Sequence, residues 1–278
     1  MAAALLLTVV AGLATGLGGL AVFVTHRSNG SFLALSLGFS AGVMLYVSFV
    51  ELLAEAQGLL GSAWGERPGT WGMVAGFFAG IAVIAVIDRL VPHDANPHEF
   101  AHGPGDAVSP PGAPPRPHDG AGAAAPVDGR LLRTGMLTAL AIAIHNVPEG
   151  FATFAAALGD PSVGVAIAAA IALHNIPEGI AVAVPVFQAT GSRARAIGLS
   201  FLSGLSEPAG ALLGYALLRP FLTDALFGAV LAGVAGIMVF ISLDKLLPTA
   251  EEYGGHHLCV YGVVAGMGVM AVSLALLG

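Results

Sequence analysis

Two short stretches hold most of the chemistry available to this chain inside its apolar segments. Leu140–Gly150 reads LAIAIHNVPEG and Ala170–Gly179 reads AIALHNIPEG, so His, Asn, Pro and Glu recur 29 positions apart. On a helix, residues three and four apart share a face. His145, Asn146 and Glu149 therefore project to one side of the first helix, and His174, Asn175 and Glu178 to one side of the second. With those faces together, two imidazoles, two carboxylates and two amide oxygens surround one point. That set of N and O donors suits a divalent transition metal such as Zn²⁺, Fe²⁺, Mn²⁺ or Cd²⁺. Two carboxylates placed to bridge point to two ions side by side.

The cost of the cluster favours the same reading. A charged side chain at mid-membrane costs about 2.5–3.5 kcal/mol on insertion scales, and two unpaired glutamates repel each other. A divalent cation offsets both penalties. Pro148 and Pro177 remove the helical hydrogen bonds to the carbonyls of Ile144 and Leu173. Kinks are expected there, and broken helices at membrane depth are tolerated where they line a cavity. A lone membrane His or Glu commonly serves only to bond a neighbouring helix; two complete H-N-x-P-E-G units exceed that need.

Further polar groups lie in apolar surroundings. Glu207 in FLSGLSEPAG is a candidate ligand. Met44, Glu51 and Asp244 are candidate accessory or pathway groups, and Lys245 is placed to neutralise Asp244 or Glu51. His93, His98, His102 and His118, interspersed with acids between 92 and 130, could capture metal weakly; an ordinary solvated linker fits them equally well. Glu251, Glu252, His256 and His257 lie on the same predicted side.

The elements that position these groups follow from composition. Of 278 residues, 56% are hydrophobic and 10% charged, with a mean hydropathy of +0.85, against about 25% charged in soluble domains. An all-α integral membrane protein is expected. The net charge of −7 resembles no nucleic-acid surface, and the single cysteine, Cys259, excludes an internal disulfide or a CxxC metal knuckle. Apolar segments of spanning length fall at roughly 4–24, 32–57, 71–91, 133–158, 162–188, 194–218, 221–248 and 257–277, which predicts eight transmembrane helices in a single domain, 1–278. The first lacks the basic start of a secretory signal and reads as a retained span. The 92–130 stretch contains nine of the 17 prolines and reads as a flexible loop.

Arg27, Arg89, Arg116, Arg130, Arg133, Arg193 and Arg195 fall on one side of that topology, against Arg67 and Arg219 on the other. The positive side is cytoplasmic, which places the 92–130 loop inside and both termini outside. An internal repeat is also visible. AGVMLYVSFVELLAEA (41–56) aligns with AGIMVFISLDKLLPTA (235–250), and WGMVAG (71–76) with YGVVAG (261–266). The topology inverts the two copies, so helices 1–3 and 6–8 form inverted repeats around a central helix 4/5 pair. Many secondary transporters share that architecture. Glycines at 72, 76, 80, 262 and 266 fit close helix packing.

Together, eight helices, a His-containing loop after the third, HNVPEG on the fourth, HNIPEG on the fifth and SEPAG on the sixth closely resemble the ZIP family of metal-ion transporters. The likeness covers nearly the whole chain and is greatest to the bacterial zinc/iron uptake permeases. The resemblance implies import of Zn²⁺, and of Fe²⁺, Mn²⁺, Cd²⁺ and Co²⁺, into the cytoplasm across the bacterial inner membrane, with the metal as cargo and no organic cofactor. It implies a binuclear site: His145, Glu149, His174 and Glu178 at one metal, and Asn146, Glu149, Asn175, Glu178 and Glu207 at the other. It further implies a helix bundle moving against a scaffold by alternating access, and a homodimer. The chain departs from several relatives at Lys245. A selective metal channel through the same site is the alternative. An intramembrane metal-dependent hydrolase is weaker, because Asn follows each His where a zincin places its base, and no HExxH is present.

Overall fold

The computed structural model describes residues 1–26, 29–90, 128–159, 161–218 and 223–277, and among them the chain is helical with no strand. α1 (Ala2–Gly18) runs into a 3-10 turn, Gly19–Phe23. α2 (Gly30–Val47), a π-helical turn (Ser48–Leu52) and α3 (Leu53–Trp64) form one rod, followed by α4 (Glu66–Leu90). α5 (Gly129–Gly159) and α6 (Pro161–Thr190) carry the two hexapeptides. α7 (Arg193–Gly204) and α8 (Ser206–Leu213) lead to a π turn at Gly214–Leu218. α9 (Asp224–Ile241), a π turn (Ser242–Leu246), α10 (Leu247–Gly254) and α11 (His256–Leu277) complete the order.

Seven helical stretches among the described residues are long and apolar enough to cross a membrane. α5 is not one of them, because HNVPEG and two arginines dilute its apolar run. Helix starts follow side-chain capping: Asn29 Oδ1 accepts from the Phe32 amide, Asp128 Oδ1 from Leu131, Ser192 Oγ from Arg195 and Thr223 Oγ1 from Leu226.

Two stretches between predicted spans prove to be helix. The residues after 57 continue as α3 to Trp64, and only Gly65, at φ +89°, separates it from α4. Pro68 sits in the first turn of α4, where its missing N–H has no helical partner to lose. In the same way Gly255, at φ +82°, separates α10 from α11. These glycines stand at the offset of the WGMVAG/YGVVAG pair. The π turns at Ser48–Leu52 and Ser242–Leu246 stand at the offset of the longer pair, and in each the leading serine donates to a methionine carbonyl one turn back: Ser48 to Met44 at 2.7 Å, Ser242 to Met238 at 2.8 Å.

The helices pack as two groups. α1, α5, α6, α7 and α8 contact mainly one another, and α2, α3, α4, α9, α10 and α11 do the same. The second group is exchanged about its middle: α2 lies along α11 as α9 lies along α4, and α10 leans on α2 as α3 leans on α9. α2 meets α6 across the boundary, where Ser40 Oγ donates to the Pro177 carbonyl at 2.7 Å. The apolar window of α4 is only 11% buried and that of α11 22%, so these two form outer walls.

Candidate metal centre

All seven candidate ligands converge in the first group, each 0–5% exposed: His145, Asn146 and Glu149 on α5, His174, Asn175 and Glu178 on α6, and Glu207 on α8. The two hexapeptides pair crosswise. His145 Nε2 lies 3.1 Å from Glu178 Oε1, and His174 Nε2 lies 3.6 Å from Glu149 Oε2. Each helix thus presents its histidine to the other helix's glutamate, as antiparallel neighbours must. Asn175 Nδ2 donates to Glu207 Oε1 and, at 3.0 Å, to the Ala11 carbonyl, which ties in α8 and α1. Asn146 Nδ2 is 3.5 Å from the Ser203 carbonyl at the end of α7.

The last residue of each hexapeptide has a packing reason. A Cβ on Gly150 would collide with the Glu207 carbonyl, and one on Gly179 with the Thr15 carbonyl. Glycine at those positions admits the backbones of α8 and α1 beside the site. The kinks predicted at Pro148 and Pro177 do not interrupt the helices; α5 and α6 run on through both, one lost hydrogen bond being carried by the rest of a well-packed ladder. The break falls between α7 and α8, at Leu205. Pro208 has no N–H to give the Gly204 carbonyl, and Glu207 is placed by that discontinuity.

The chemistry lies in the atoms left over. Buried and without a hydrogen-bond partner are His145 Nδ1, Asn146 Oδ1, Glu149 Oε2, both ring nitrogens of His174, Asn175 Oδ1, Glu178 Oε2 and Glu207 Oε2. Buried polar atoms are ordinarily satisfied, and eight left over in one cluster mark it as a candidate binding site. Five of the eight are carboxylate or amide oxygens with lone pairs to give a cation; the other three are imidazole nitrogens, of which each neutral ring offers one lone pair, on the nitrogen its tautomer leaves unprotonated. Among the described residues, no three His, Cys, Asp or Glu side chains already surround one point. The His–Glu pairs hold each other instead.

The accessory candidates separate from this cluster. Glu51, in the π turn after α2, comes from the other group; its Oε2 is buried and unpartnered, and its carboxylate lies within electrostatic reach of His174 and Glu149. Met44 is fully buried, in a core cluster to which both groups contribute. Asp244 lies elsewhere and pairs with Lys245 at 2.8 Å. Lys245 also reaches Asp88, at 3.1 Å, a partner the sequence reading did not single out, and does not pair with Glu51. His93, His98, His102 and His118 lie outside the described residues. Glu251 and His256 form an exposed pair, Oε1 to Nδ1 at 2.6 Å.

Sequence comparison gives the cluster its context. The family model described as ZIP zinc transporter matches residues 1–274. The chain is 57% identical over 270 residues to the zinc transporter ZupT of Corynebacterium glutamicum, covering 97% of each chain. Against ZupT of Streptococcus mutans the identity is 52% over 273 residues, or 98% of this chain and 97% of the relative. ZupT of Nitratidesulfovibrio vulgaris is 56% identical over 275 residues, or 97% and 95%. The hexapeptide pair therefore sits in a chain similar from end to end to zinc transporters, and the protein belongs to the ZIP zinc transporter family.

Proposed function

We propose that this protein imports zinc through the cluster between α5 and α6, as a transporter and not an enzyme. The observation that carries the reading is the set of unpartnered carboxylate, amide and imidazole atoms, eight of them from the two hexapeptides and Glu207 and one more from Glu51. Charge supports two ions at once. Glu149, Glu178, Glu207 and Glu51, if ionised, carry four negative charges, which two divalent cations neutralise. His145, Glu149, His174 and Glu178 would hold one ion; Asn146, Asn175 and Glu207 would complete the other, with both hexapeptide glutamates bridging. The same donors accept Fe²⁺, Mn²⁺, Cd²⁺ and Co²⁺, so a broad substrate range belongs to the proposal.

Transport proceeds by alternating access of one bundle against the other. Two facts support this. Every proposed ligand except Glu51 belongs to the α1/α5/α6/α7/α8 bundle, so an ion bound there travels with it. Each glycine whose added Cβ would strike another helix's backbone strikes one of its own bundle, as Gly12 with Gly204 and Gly80 with Gly233, among the described residues. Close backbone packing stiffens each bundle internally, while the boundary between them is free of such locks. The proposed topology has eight crossings, α5 included, termini outside, and the 92–130 loop in the cytoplasm. The paired π turns and paired glycines support inverted repeats in the scaffold, and the functional unit is a homodimer.

The test is uptake of radiolabelled zinc into proteoliposomes. Wild type accumulates zinc saturably, and Glu149→Ala and Glu178→Ala each lower the rate at least about 10–100-fold, since loss even of residues behind metal ligands has effects of that size. Unchanged uptake in both variants rejects the site. Millisecond currents without saturation favour a channel.

A further inference from the structure

Outside the metal centre, Arg133 and Lys245 gather around one largely buried acid. Asp88, near the end of α4, is shared by these two cations. Arg133 Nη2 lies 3.0 Å from Asp88 Oδ1 and donates to the Asp88 main-chain carbonyl at 2.6 Å. Lys245 Nζ lies 3.1 Å from Asp88 Oδ2 and 2.8 Å from Asp244 Oδ2. Two cations and two anions make a neutral quartet, and the three central side chains are only 15–20% exposed. Arg133 stands on α5, in the bundle that carries the metal ligands. Asp88, Asp244 and Lys245 stand on α4 and the π turn of the other bundle.

The Arg133–Asp88 pair therefore crosses the bundle boundary, and it borders a cavity of about 110 Å³ that the two bundles share. Thr134 and Leu137 line it from one side, Pro248 and Thr249 from the other. By helical rise, Arg133 is about 18 Å along α5 from His145, so this cluster is separate from the metal centre. Two more contacts cross at the same end. The Tyr253 hydroxyl of α10 donates to Asp128 Oδ2 at the start of α5, and Gln188 Nε2 of α6 donates to the Asn29 carbonyl before α2 at 3.0 Å.

On the footing of zinc transport through the hexapeptide site, we propose that Asp88, Arg133 and Lys245 form a latch that holds the two bundles together at this end and closes the path from the metal centre to the cytoplasm. Lys245 is a positioning residue: it fixes the second oxygen of Asp88 so that the first meets Arg133. Partly desolvated pairs hold more strongly than exposed ones, and losing the shared anion leaves Arg133 and Lys245 repelling each other across the boundary. Asp88→Asn thus converts the latch into a spring.

The experiment reads the cavity directly. Thr134→Cys is placed in a Cys259→Ala background, reconstituted in vesicles, and treated with a membrane-impermeant thiol reagent from either side, with zinc uptake measured on the same preparations. Adding Asp88→Asn raises the modification rate from the cytoplasmic side about tenfold, equivalent to about 1.4 kcal/mol of opening; Lys245→Met raises it less, and Asp88→Glu stays near the parent. An unchanged rate in Asp88→Asn, in protein with the parental melting temperature, overturns the latch. So does an equal rise from both sides, which reports general loosening. If Asp88→Asn does not accumulate, Arg133→Gln and Lys245→Met carry the same comparison. Absence of zinc uptake in the parent would reject the transport reading and leave the labelling result independent of it.

Discussion

At the residue scale, the centre is held in readiness by crossed His–Glu pairs. Each imidazole stabilises the glutamate of the opposite helix, so removing one partner leaves the other buried alone, a costly condition. His145→Ala therefore weakens zinc uptake and also lowers thermal stability in detergent, through Glu178. Zinc restores part of that loss, because a ligand that binds only the folded state stabilises it. A melting temperature of His145→Ala that does not respond to zinc, while wild type responds, would contradict this partial rescue and make His145 indispensable to zinc binding. The discriminating variant is Glu207→Gln, which keeps the Asn175 contact and removes one charge. It is expected to retain the zinc-induced shift with a weaker apparent affinity; complete insensitivity places Glu207 in the primary ion site instead.

The residue types of the centre were legible in the sequence because ionisable groups in a greasy segment have no inexpensive structural explanation. The crosswise pairing was not, since it depends on how α5 and α6 meet. Asp88 was harder still. It ends an apolar helix beside Arg89, where an acid looks like an ordinary interfacial charge, and its partners Arg133 and Lys245 are 45 and 157 positions away.

At the element scale, helix limits were read well where apolar runs met arginines and poorly where glycine and proline clustered. The residues 58–70 have the composition of a loop, yet all but Gly65 of them are helix, because Pro68 falls in a first turn and Gly65 alone makes the reversal. The proline kinks expected at 148 and 177 moved to Leu205 for a local reason, the carbonyl stranded by Pro208. Packing at the hexapeptide glycines gives a direct prediction. Gly179→Val forces a side chain against the Thr15 carbonyl and destabilises the bundle by about 1–3 kcal/mol, the usual cost of overpacking. Gly58→Ala, with nothing within 4 Å of the added carbon and a better helix former placed inside α3, leaves the melting temperature unchanged or slightly raised. Equal stability of the two variants would show that the α1–α6 approach is not tight.

At the scale of the whole molecule, the division into two bundles places the proposed ligands on one body and Glu51 on the other. Motion between bundles is checked by cross-linking. A cysteine pair replacing Asp88 and Arg133, bridged by a bifunctional thiol reagent, spans the boundary and is expected to stop zinc uptake reversibly on reduction. A pair replacing Gln57 and Thr70, whose side chains meet at 2.9 Å within the scaffold, is expected to leave uptake intact when bridged. Uptake that survives the first bridge excludes relative bundle motion at that end.

Metal in transit is proposed to be held by the crossed hexapeptides. Crystals of the purified protein soaked in zinc, with anomalous difference density measured on both sides of the zinc absorption edge, locate the ion without reference to transport. Peaks are expected between His145, Glu149, His174 and Glu178, with a second toward Asn146, Asn175 and Glu207, and both disappear in Glu149→Ala/Glu178→Ala. Zinc found only at the exposed Glu251–His256 pair, or unchanged in the double variant, would contradict the account.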